Sequence, residues 1–249
     1  MRNIAIELIF DGSRYAGWQS QNNAVAISNV VNGAIYEATG AHAKLIGCSR
    51  TDAGVHAKSY IANFKTDSAL SVRVLPRALN FYLPQDIAVV GAYEMEEAFH
   101  AQYDATKKEY IYTIENSAFR NPLNPNAHRE SRTLNLDAMK SAAAQLVGTH
   151  DFKAFSNAGG SAVTSVRTIY ALKVEKKGAV ISITVRGNGF LYNMVRIIAG
   201  TLLAVGQGKM MPAELPNIIS NRDRKQAGKT LPARGLTLHK VWYGRKPLG

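Results

Sequence analysis

Arg50 and Asp52 place a guanidinium and a carboxylate two positions apart in residues 47–57 (GCSRTDAGVHA). In an extended chain, residues two apart project to the same face, so the two groups lie side by side. An adjacent arginine favours the ionised carboxylate, which is the form that acts as a nucleophile or base. A bare Arg-x-Asp pair is also typical of a loop salt bridge, and by itself it favours that structural role.

The charge of the chain indicates a polyanionic partner. Its 249 residues include 30 Lys and Arg against 18 Asp and Glu, a formal net charge of +12. Clustered Lys and Arg bind phosphates favourably because condensed counterions are released. A generally basic surface is the alternative. With 46% hydrophobic and 19% charged residues, the sequence predicts a folded globular protein and not a disordered tail.

We expect no metal site, no disulfide and no membrane-spanning segment. The single cysteine, Cys48, excludes an intramolecular disulfide and a multi-cysteine zinc site, and it follows an apolar run that predicts a buried structural thiol. The six histidines lack ligand spacing, so we expect no metal. No apolar run reaches the roughly 20 residues needed to span a bilayer. The first residues do not resemble a signal peptide, and we expect a cytoplasmic protein.

The first hundred residues predict the element order β-α-β-β-α-β. Alternation at Ile4, Ile6, Leu8 and Phe10 is typical of a half-buried strand. The later elements are a helix over 24–39, strands over 44–46 and 59–65, a helix opening at Ser71 and a strand over 86–95.

The second half repeats this mixture of strands and crossover helices. The expected elements are a strand over 106–116, a helix over 136–148, a hairpin over 167–187, a long apolar helix over 189–206, a short helix over 213–225 and a closing strand over 236–244. This order predicts an α+β protein of two similar, RNA-recognition-like α/β sub-domains, with mainly antiparallel sheets and a cleft between them. We place the domains at 1–102, which carries Asp52, and 103–249.

Eight segments occur in the order typical of the tRNA pseudouridine synthase A family, and the chain resembles that family over residues 4–241. The most specific is RTDAGVHA at 50–57, followed by MVRIIAG at 194–200 and GTHDF at 148–152. The weaker ones are FDGSRYAGWQSQ, LPQDI, FHAQYDATKKEYIY, VRTIY and ARGLTLHKV. The resemblance implies isomerisation of uridine to pseudouridine at positions 38–40 of the tRNA anticodon stem-loop, by a homodimer without cofactor or metal.

This chemistry suits a single ionised carboxylate. The base must be detached from ribose at N1, rotated and rejoined through C5, without net redox change or hydrolysis. Carboxylate-assisted glycosidic cleavage is the nearest parallel, although water must be kept out. A stacked base is out of reach, so the nucleotide has to be flipped out of the helix.

By resemblance, Asp52 is the family's catalytic aspartate, acting as nucleophile or base, and Arg50 fills the vacated space and holds the flipped nucleotide. Tyr110 stacks on the uracil, an interaction of about 1–3 kcal/mol per base, and its phenol could help remove the C5 proton. Arg196 resembles the second-domain arginine that pairs with the aspartate. Its apolar surroundings demand a partner unless it lies on a solvated face. Leu238 is expected to wall the uracil pocket.

RNA phosphate contacts are expected from basic residues, each of which alone is also typical of a plain surface charge: Arg14, Lys107, Lys108, Arg222 and Arg224. Ser20 and Gln102 stand where the family usually has arginine. These departures bear on how the protein binds RNA and on which uridines it modifies. The segments that carry the catalytic residues match the family pattern.

Two other functions compete with this interpretation. A non-catalytic module that binds structured RNA explains the charge, but an acid in an RNA groove repels phosphate and Asp52 is then unexplained. A nucleoside or sugar hydrolase requires a second carboxylate, and the sequence has no partner acid at a persuasive spacing.

Overall fold

The structure, a computed structural model, describes residues 1–21, 23–244 and 248. In chain order its elements are β1 (Arg2–Phe10), α1 (Ile27–Thr39), β2 (Ile46–Gly47), β3 (His56–Thr66), α2 (Leu75–Tyr82), β4 (Ile87–Met95), β5 (Ala105–Asn116), β6 (His128–Glu130), α3 (Leu136–Gln145), β7 (Gly148–Asp151), β8 (Val166–Lys177), β9 (Val180–Gly187), α4 (Met194–Gly206), α5 (Leu215–Asn221) and β10 (Leu236–Tyr243).

The chain forms two compact units. Unit 1 comprises Met1–Thr106 and Thr237–Gly249, and unit 2 comprises Lys107–Leu236. The predicted ranges, 1–102 and 103–249, assign the closing strand to the second domain. The structure groups it with the first, because Thr237 and Leu238 of β10 pair in parallel with His56 and Ala57 of β3.

Unit 1 is a sheet in the order β4-β1-β3-β10, with α1 and α2. β1 is antiparallel to both β3 and β4, and β2 adds a short antiparallel pairing to β3. The central strands carry fully buried side chains, among them Ile4, Ile6, Tyr60 and Phe64. The order β-α-β-β-α-β agrees with the prediction for this part of the chain.

Unit 2 is a sheet in the order β5-β9-β8-β7, antiparallel throughout, with β6 parallel to β5 at its edge. Helix α4 is its core element: from Met194 to Gly206 every residue is buried except Arg196 and Ala204. A helix that is apolar on all sides belongs in a core. The predicted class, α+β with mainly antiparallel strands, is therefore confirmed.

Several predicted boundaries were wrong. The helix predicted over 189–206 begins at Met194, because Asn193 has a φ of 61°, in the left-handed region that ends regular helix. α1 and α2 likewise begin later than predicted, at Ile27 and Leu75. β6 and β7 were not predicted, because three or four residues are too few to show strand alternation.

Within the described ranges, none of the helices combines the length and the apolar character required to cross a membrane.

Candidate active site

Asp52 lies between β2 and β3 in a segment that we call the Asp52 loop (residues 48–55). The loop leaves β2 with a hydrogen bond from Cys48 N–H to the Ile61 carbonyl, at 2.8 Å. It ends in a tight turn, in which Val55 N–H donates to the Asp52 carbonyl at 3.2 Å. Gly54 has a φ of +80° in this turn, a conformation that favours glycine. The carboxylate therefore sits at a sharp, defined bend.

In extended backbone, side chains two apart share a face. Arg50 is exposed, the intervening Thr51 is buried and Asp52 is partly exposed. This alternation is confined to these three residues of the Asp52 loop. It agrees with the interpretation that Arg50 and Asp52 project together toward the accessible side of the loop.

A second segment, the facing loop (residues 11–20), lies directly against the Asp52 loop. Gly54 N–H donates to the Tyr15 carbonyl at 3.2 Å, and Trp18 N–H donates to the Thr51 carbonyl at 3.3 Å. A β-carbon on Gly17 would overlap the Thr51 carbonyl oxygen. One on Gly12 would overlap the Val55 carbonyl oxygen. The two backbones approach so closely that both positions require glycine.

An aromatic pair supports the Asp52 loop from β3. The rings of Trp18 and Tyr60 stack with centroids 4.1 Å apart, and the Tyr60 hydroxyl donates to the Ser49 carbonyl. Gly47 leaves room for this pair, because a β-carbon there would overlap both side chains. The carbonyl held by Tyr60 belongs to the residue immediately before Arg50.

His56 connects the two loops at the start of β3. It is buried, and its Nδ1 lies 3.1 Å from Gly12 N and 3.0 Å from Asp11 Oδ1. An unprotonated Nδ1 accepts the Gly12 N–H, whereas a protonated one donates to Asp11. In either state the histidine joins the facing loop to the strand that follows the Asp52 loop.

Two more predicted residues lie on unit 1. Leu238 is fully buried on β10, paired with Ala57, which places it beside the strand that leaves the Asp52 loop. Arg14 is exposed in a short 3₁₀ turn, and its Nε donates to Asp86 Oδ2 at 2.8 Å. Asp86 also accepts the Tyr15 hydroxyl at 2.7 Å, so this ion pair is tied to the facing loop.

Tyr110 lies on unit 2, on β5. It is buried, pairs with Val185 of β9, and meets Phe190 edge to face at a centroid distance of 5.3 Å. The preceding residue, Glu109, is buried and accepts from Nε and Nη2 of Arg186 at 2.9 and 2.6 Å. Because Tyr110 lies on a strand and packs against Phe190, its ring is well suited to be presented in a fixed orientation.

Arg196 is the only charged residue of α4, and it is partly exposed. Its Nε donates to the Leu231 carbonyl at 2.7 Å, and Nη1 donates to the side-chain oxygen of Asn193. Both of these acceptors are uncharged and belong to unit 2. The pairing of Arg196 with Asp52 remains a prediction.

The predicted RNA-contact residues of unit 2 differ in their surroundings. Lys107 is exposed, with Nζ 5.6 Å from the ring centre of Tyr170, and Lys108 is half-buried. Arg222 is exposed, has a φ of 57° and pairs with Asp151 at 2.8 Å. Their contact with RNA remains a prediction.

Arg224 is bound within the fold. Its guanidinium donates to Asn157 Oδ1, the Gly228 carbonyl and Thr230 Oγ1 at 2.9–3.0 Å, and to the Ala227 carbonyl at 3.4 Å. These bonds hold the loop before β10, which the sequence pattern did not indicate.

Sequence reasoning also missed the residues that position Asp52: Gly12, Gly17, Trp18 and Tyr60. The signal was present in the facing loop, where two glycines and a tryptophan occur within seven residues. Ser20 and Gln102, the departures from the family pattern, are both exposed, and Ser20 Oγ accepts from Asn29 at 3.0 Å. In the described part of the chain, no group of three His, Cys, Asp or Glu is arranged to hold a metal.

The family model described as tRNA pseudouridine synthase matches residues 7–104 and 142–244, which include the Asp52 loop, the facing loop and α4. The chain belongs to the tRNA pseudouridine synthase family. The resemblance stated from the motifs is thereby confirmed.

Curated relatives match over nearly the whole chain. The chain is 48% identical to "tRNA pseudouridine synthase A" of Thermoanaerobacter sp. (strain X514) over 244 residues, covering 98% of this chain and 100% of the relative. It is 45% identical to the protein of the same name from Acetivibrio thermocellus, with the same coverage. A solved structure described as "Structure of H/ACA RNP bound to a substrate RNA containing 2'-deoxyuridine" shares 13% identity at a TM-score of 0.39, covering 80% of this chain and 44% of that one. That likeness is too distant to carry an argument.

Proposed function

We propose that this tRNA pseudouridine synthase acts on uridines at positions 38–40 of the anticodon stem-loop, with Asp52 as the catalytic carboxylate. The observation that carries the assignment of Asp52 is the arrangement of its loop. An accessible carboxylate stands at a glycine turn whose backbone is hydrogen-bonded to a second glycine-containing loop. Such a rigid support is what a catalytic group needs, because small displacements of reacting atoms cost large factors in rate.

The reaction requires few protein groups. The N1–C1′ bond breaks, the uracil rotates in place, the C5–C1′ bond forms, C5 loses its proton and N1 gains one. Asp52 acts either by attacking C1′ or as the base that generates a glycal, and in both routes the carboxylate must be ionised. No oxidant, reductant or water is consumed, so the site has only to hold the detached base and exclude water.

Other residues are assigned to holding the substrate. Arg50, exposed two residues from Asp52, occupies the space vacated by the flipped nucleotide. Tyr110 stacks on the uracil, and Leu238 walls the pocket. Arg196 balances the Asp52 charge. We propose that these groups of both units act on one uridine in a cleft, an assignment supported by the family motifs in which each residue occurs.

The substrate range and the assembly also belong to this proposal. The excess of basic residues supports binding of the anticodon arm, with Arg14, Lys107, Lys108 and Arg222 as phosphate contacts. A homodimer in which one subunit holds the RNA body while the other modifies the base, and a cytoplasmic location, follow from the family resemblance. Light scattering at assay concentration tests the dimer, and an active monomer contradicts it.

Mapping of product positions tests the proposed function. The protein is incubated with tRNA transcripts carrying uridine at only one of positions 38, 39 and 40, and pseudouridine is located by chemical modification and mass spectrometry. Product at these positions supports the anticodon assignment. Product found only elsewhere contradicts the assignment of positions while leaving the reaction class intact, and no product on any tRNA contradicts the class for this chain.

A further inference from the structure

A basic cavity lies on unit 2. It has a volume of about 590 Å³ and is open to solvent. Its lining includes three arginines, Arg120, Arg129 and Arg234, together with Glu115 and the loop that follows β5. None of the three arginines belongs to the catalytic assignment.

The charges in this cavity do not balance. Among its described lining residues, three guanidinium groups face one carboxylate, an excess of two positive charges. Glu115 is buried and its Oε2 accepts from the Asn124 side chain at 2.9 Å. Glu115 and Arg129 are opposed in the parallel pairing of β5 with β6. Arg120, Arg129 and Arg234 are all exposed, so the three guanidinium groups are accessible from the solvent side.

The wall that carries these groups is preorganised. The loop contains Pro122 and Pro125, whose rings fix φ, and Leu123 N–H donates to Asn121 Oδ1 at 3.0 Å. The side chain of Asn116 donates to the carbonyls of Glu130 and Arg132 at 3.0 and 2.7 Å, which joins the ends of β5 and β6. A restrained backbone lowers the entropy lost by this loop when its arginines bind an anion.

An exposed aromatic residue precedes Arg120 in the chain. Phe119, adjacent to Arg120, is 81% exposed. Arginine beside an exposed aromatic ring is the combination with which proteins grip nucleic acids, through phosphate contacts and stacking on bases. A docked protein would bury the same ring, but a cavity lined mainly by arginine and amide groups suits an anionic backbone better than an apolar one.

We propose that this cavity is a second RNA-contact site, in which Arg120, Arg129 and Arg234 bind phosphodiester groups of the tRNA backbone. This inference rests on tRNA being the substrate, and it deepens that function by naming a contact outside the catalytic residues. The site contributes affinity without taking part in bond breaking. Its loss therefore raises KM and leaves kcat unchanged.

The test compares two charge-matched double variants. Arg120→Gln with Arg129→Gln removes two charges from the cavity, and Arg73→Gln with Arg77→Gln removes two exposed charges from unit 1 that do not line it. The Kd for tRNA is measured at about 50 and about 200 mM salt. Each phosphate contact contributes a factor of about 2.6 to 3.5 to the rise in Kd over that range, so the cavity variant should show a rise about 7- to 12-fold smaller than the parent's. The control should follow the parent.

Three results overturn the proposal. The first is a salt dependence of the cavity variant equal to that of the control. The second is a fall in kcat at saturating tRNA with unchanged KM. The third is a change in oligomeric state on light scattering, which assigns the cavity to a protein interface. Thermal melts show whether each variant is folded. The parent is assayed for turnover on the same tRNA, so the test does not depend on which uridines are modified.

A further measurement distinguishes a backbone site from one for a free anion. Inorganic phosphate, at about 1–10 mM, is added to the parent and to the cavity variant, and the melting temperature is recorded. Stabilisation of the parent alone, with no loss of tRNA affinity in the cavity variant, would assign the cavity to a free anion and coincides with the first overturning result. A response shared by both proteins, together with the loss of tRNA affinity, supports the assignment to RNA backbone.

Discussion

Gly17 lies against Thr51 so closely that a β-carbon on Gly17 would overlap the Thr51 carbonyl oxygen. The next residue, Trp18, donates its N–H to the same oxygen at 3.3 Å. Gly17 also has a φ of +87°, which residues with side chains rarely adopt. The position of Asp52, the residue after Thr51, is therefore set by a glycine 35 residues earlier in the sequence.

Gly17→Ala should displace the Asp52 loop. We expect a loss of about 1–2 kcal/mol of unfolding free energy from the left-handed conformation, with more from the overlap. Because misplacing a catalytic group by about 1 Å costs on the order of 100-fold, turnover should fall by about that factor. Denaturant unfolding and single-turnover assays measure the two effects.

Gly33→Ala is the matched control, because Gly33 is exposed within α1 and a β-carbon added there would meet nothing within 4 Å. It should stabilise the protein by about 0.5–1 kcal/mol and leave turnover unchanged. Parental turnover by the folded Gly17→Ala protein would show that the close approach does not position Asp52.

Asp52→Asn should abolish pseudouridine formation while folding and tRNA binding persist. The amide keeps the shape of the side chain but cannot act as a nucleophile or base, so the loss is in transition-state stabilisation. If the residue only clamped the loop, stability would fall by about 0–1 kcal/mol and turnover would remain. Product mapping on protein shown to bind tRNA decides between these outcomes.

Tyr60→Phe should slow catalysis with little effect on binding. The variant keeps the ring that stacks on Trp18 but loses the hydroxyl that donates to the Ser49 carbonyl, at a cost of about 1 kcal/mol in stability. We expect kcat to fall and KM to stay constant. Tyr93→Phe is the control, since its hydroxyl makes a long, 3.4 Å contact with Glu7 on the same unit. Equal kcat in both variants would contradict a positioning role for Tyr60.

Arg222 and Arg224 should respond oppositely to substitution by alanine. Arg224→Ala removes hydrogen bonds to three groups of the loop before β10 and to Asn157, so it should lower stability by at least about 2 kcal/mol. Arg222→Ala breaks one exposed ion pair, which contributes about 0–1 kcal/mol, and should mainly weaken tRNA binding. Melting curves and Kd measurements on both variants test this. Equal loss of stability in the two would contradict the distinction.

His128 should make stability depend on pH. Burial lowers its pKa in the folded protein, outweighing the attraction of Glu130, and Arg234 lowers the pKa further. Between the folded value and the unfolded value near 6.5 the unfolded chain binds more protons, so this contribution is complete above about pH 6.5 and is lost as the pH falls. His128→Gln should therefore lose less stability than the parent between pH 7.5 and 5.5. An equal change of melting temperature with pH in the two proteins would contradict the assignment of this pH dependence to His128.

The local pattern was sufficient for much of this protein. The alternation of apolar residues at Ile4, Ile6 and Leu8 identified β1, and apolar residues at helical spacing identified α1. Both signals exist because the residues buried on one face of an element repeat with the period of its backbone. The Arg50–Asp52 pair alone favoured a loop salt bridge, and it became the candidate catalytic pair through the family resemblance of the segment RTDAGVHA. These signals lie within short stretches of the chain.

What the sequence alone determined was therefore the class of fold and the family, and it named the candidate residues for the chemistry. Only the tertiary structure decided that Gly17 and Tyr60 hold the Asp52 loop, that Arg224 is bound within the fold, and that β10 returns to unit 1. Each of these depends on contacts between segments distant in sequence. Such contacts form when polar groups that make no hydrogen bond within their own helix, strand or turn bond to distant parts of the chain. The local hydrophobic pattern carries no information about which distant groups these are.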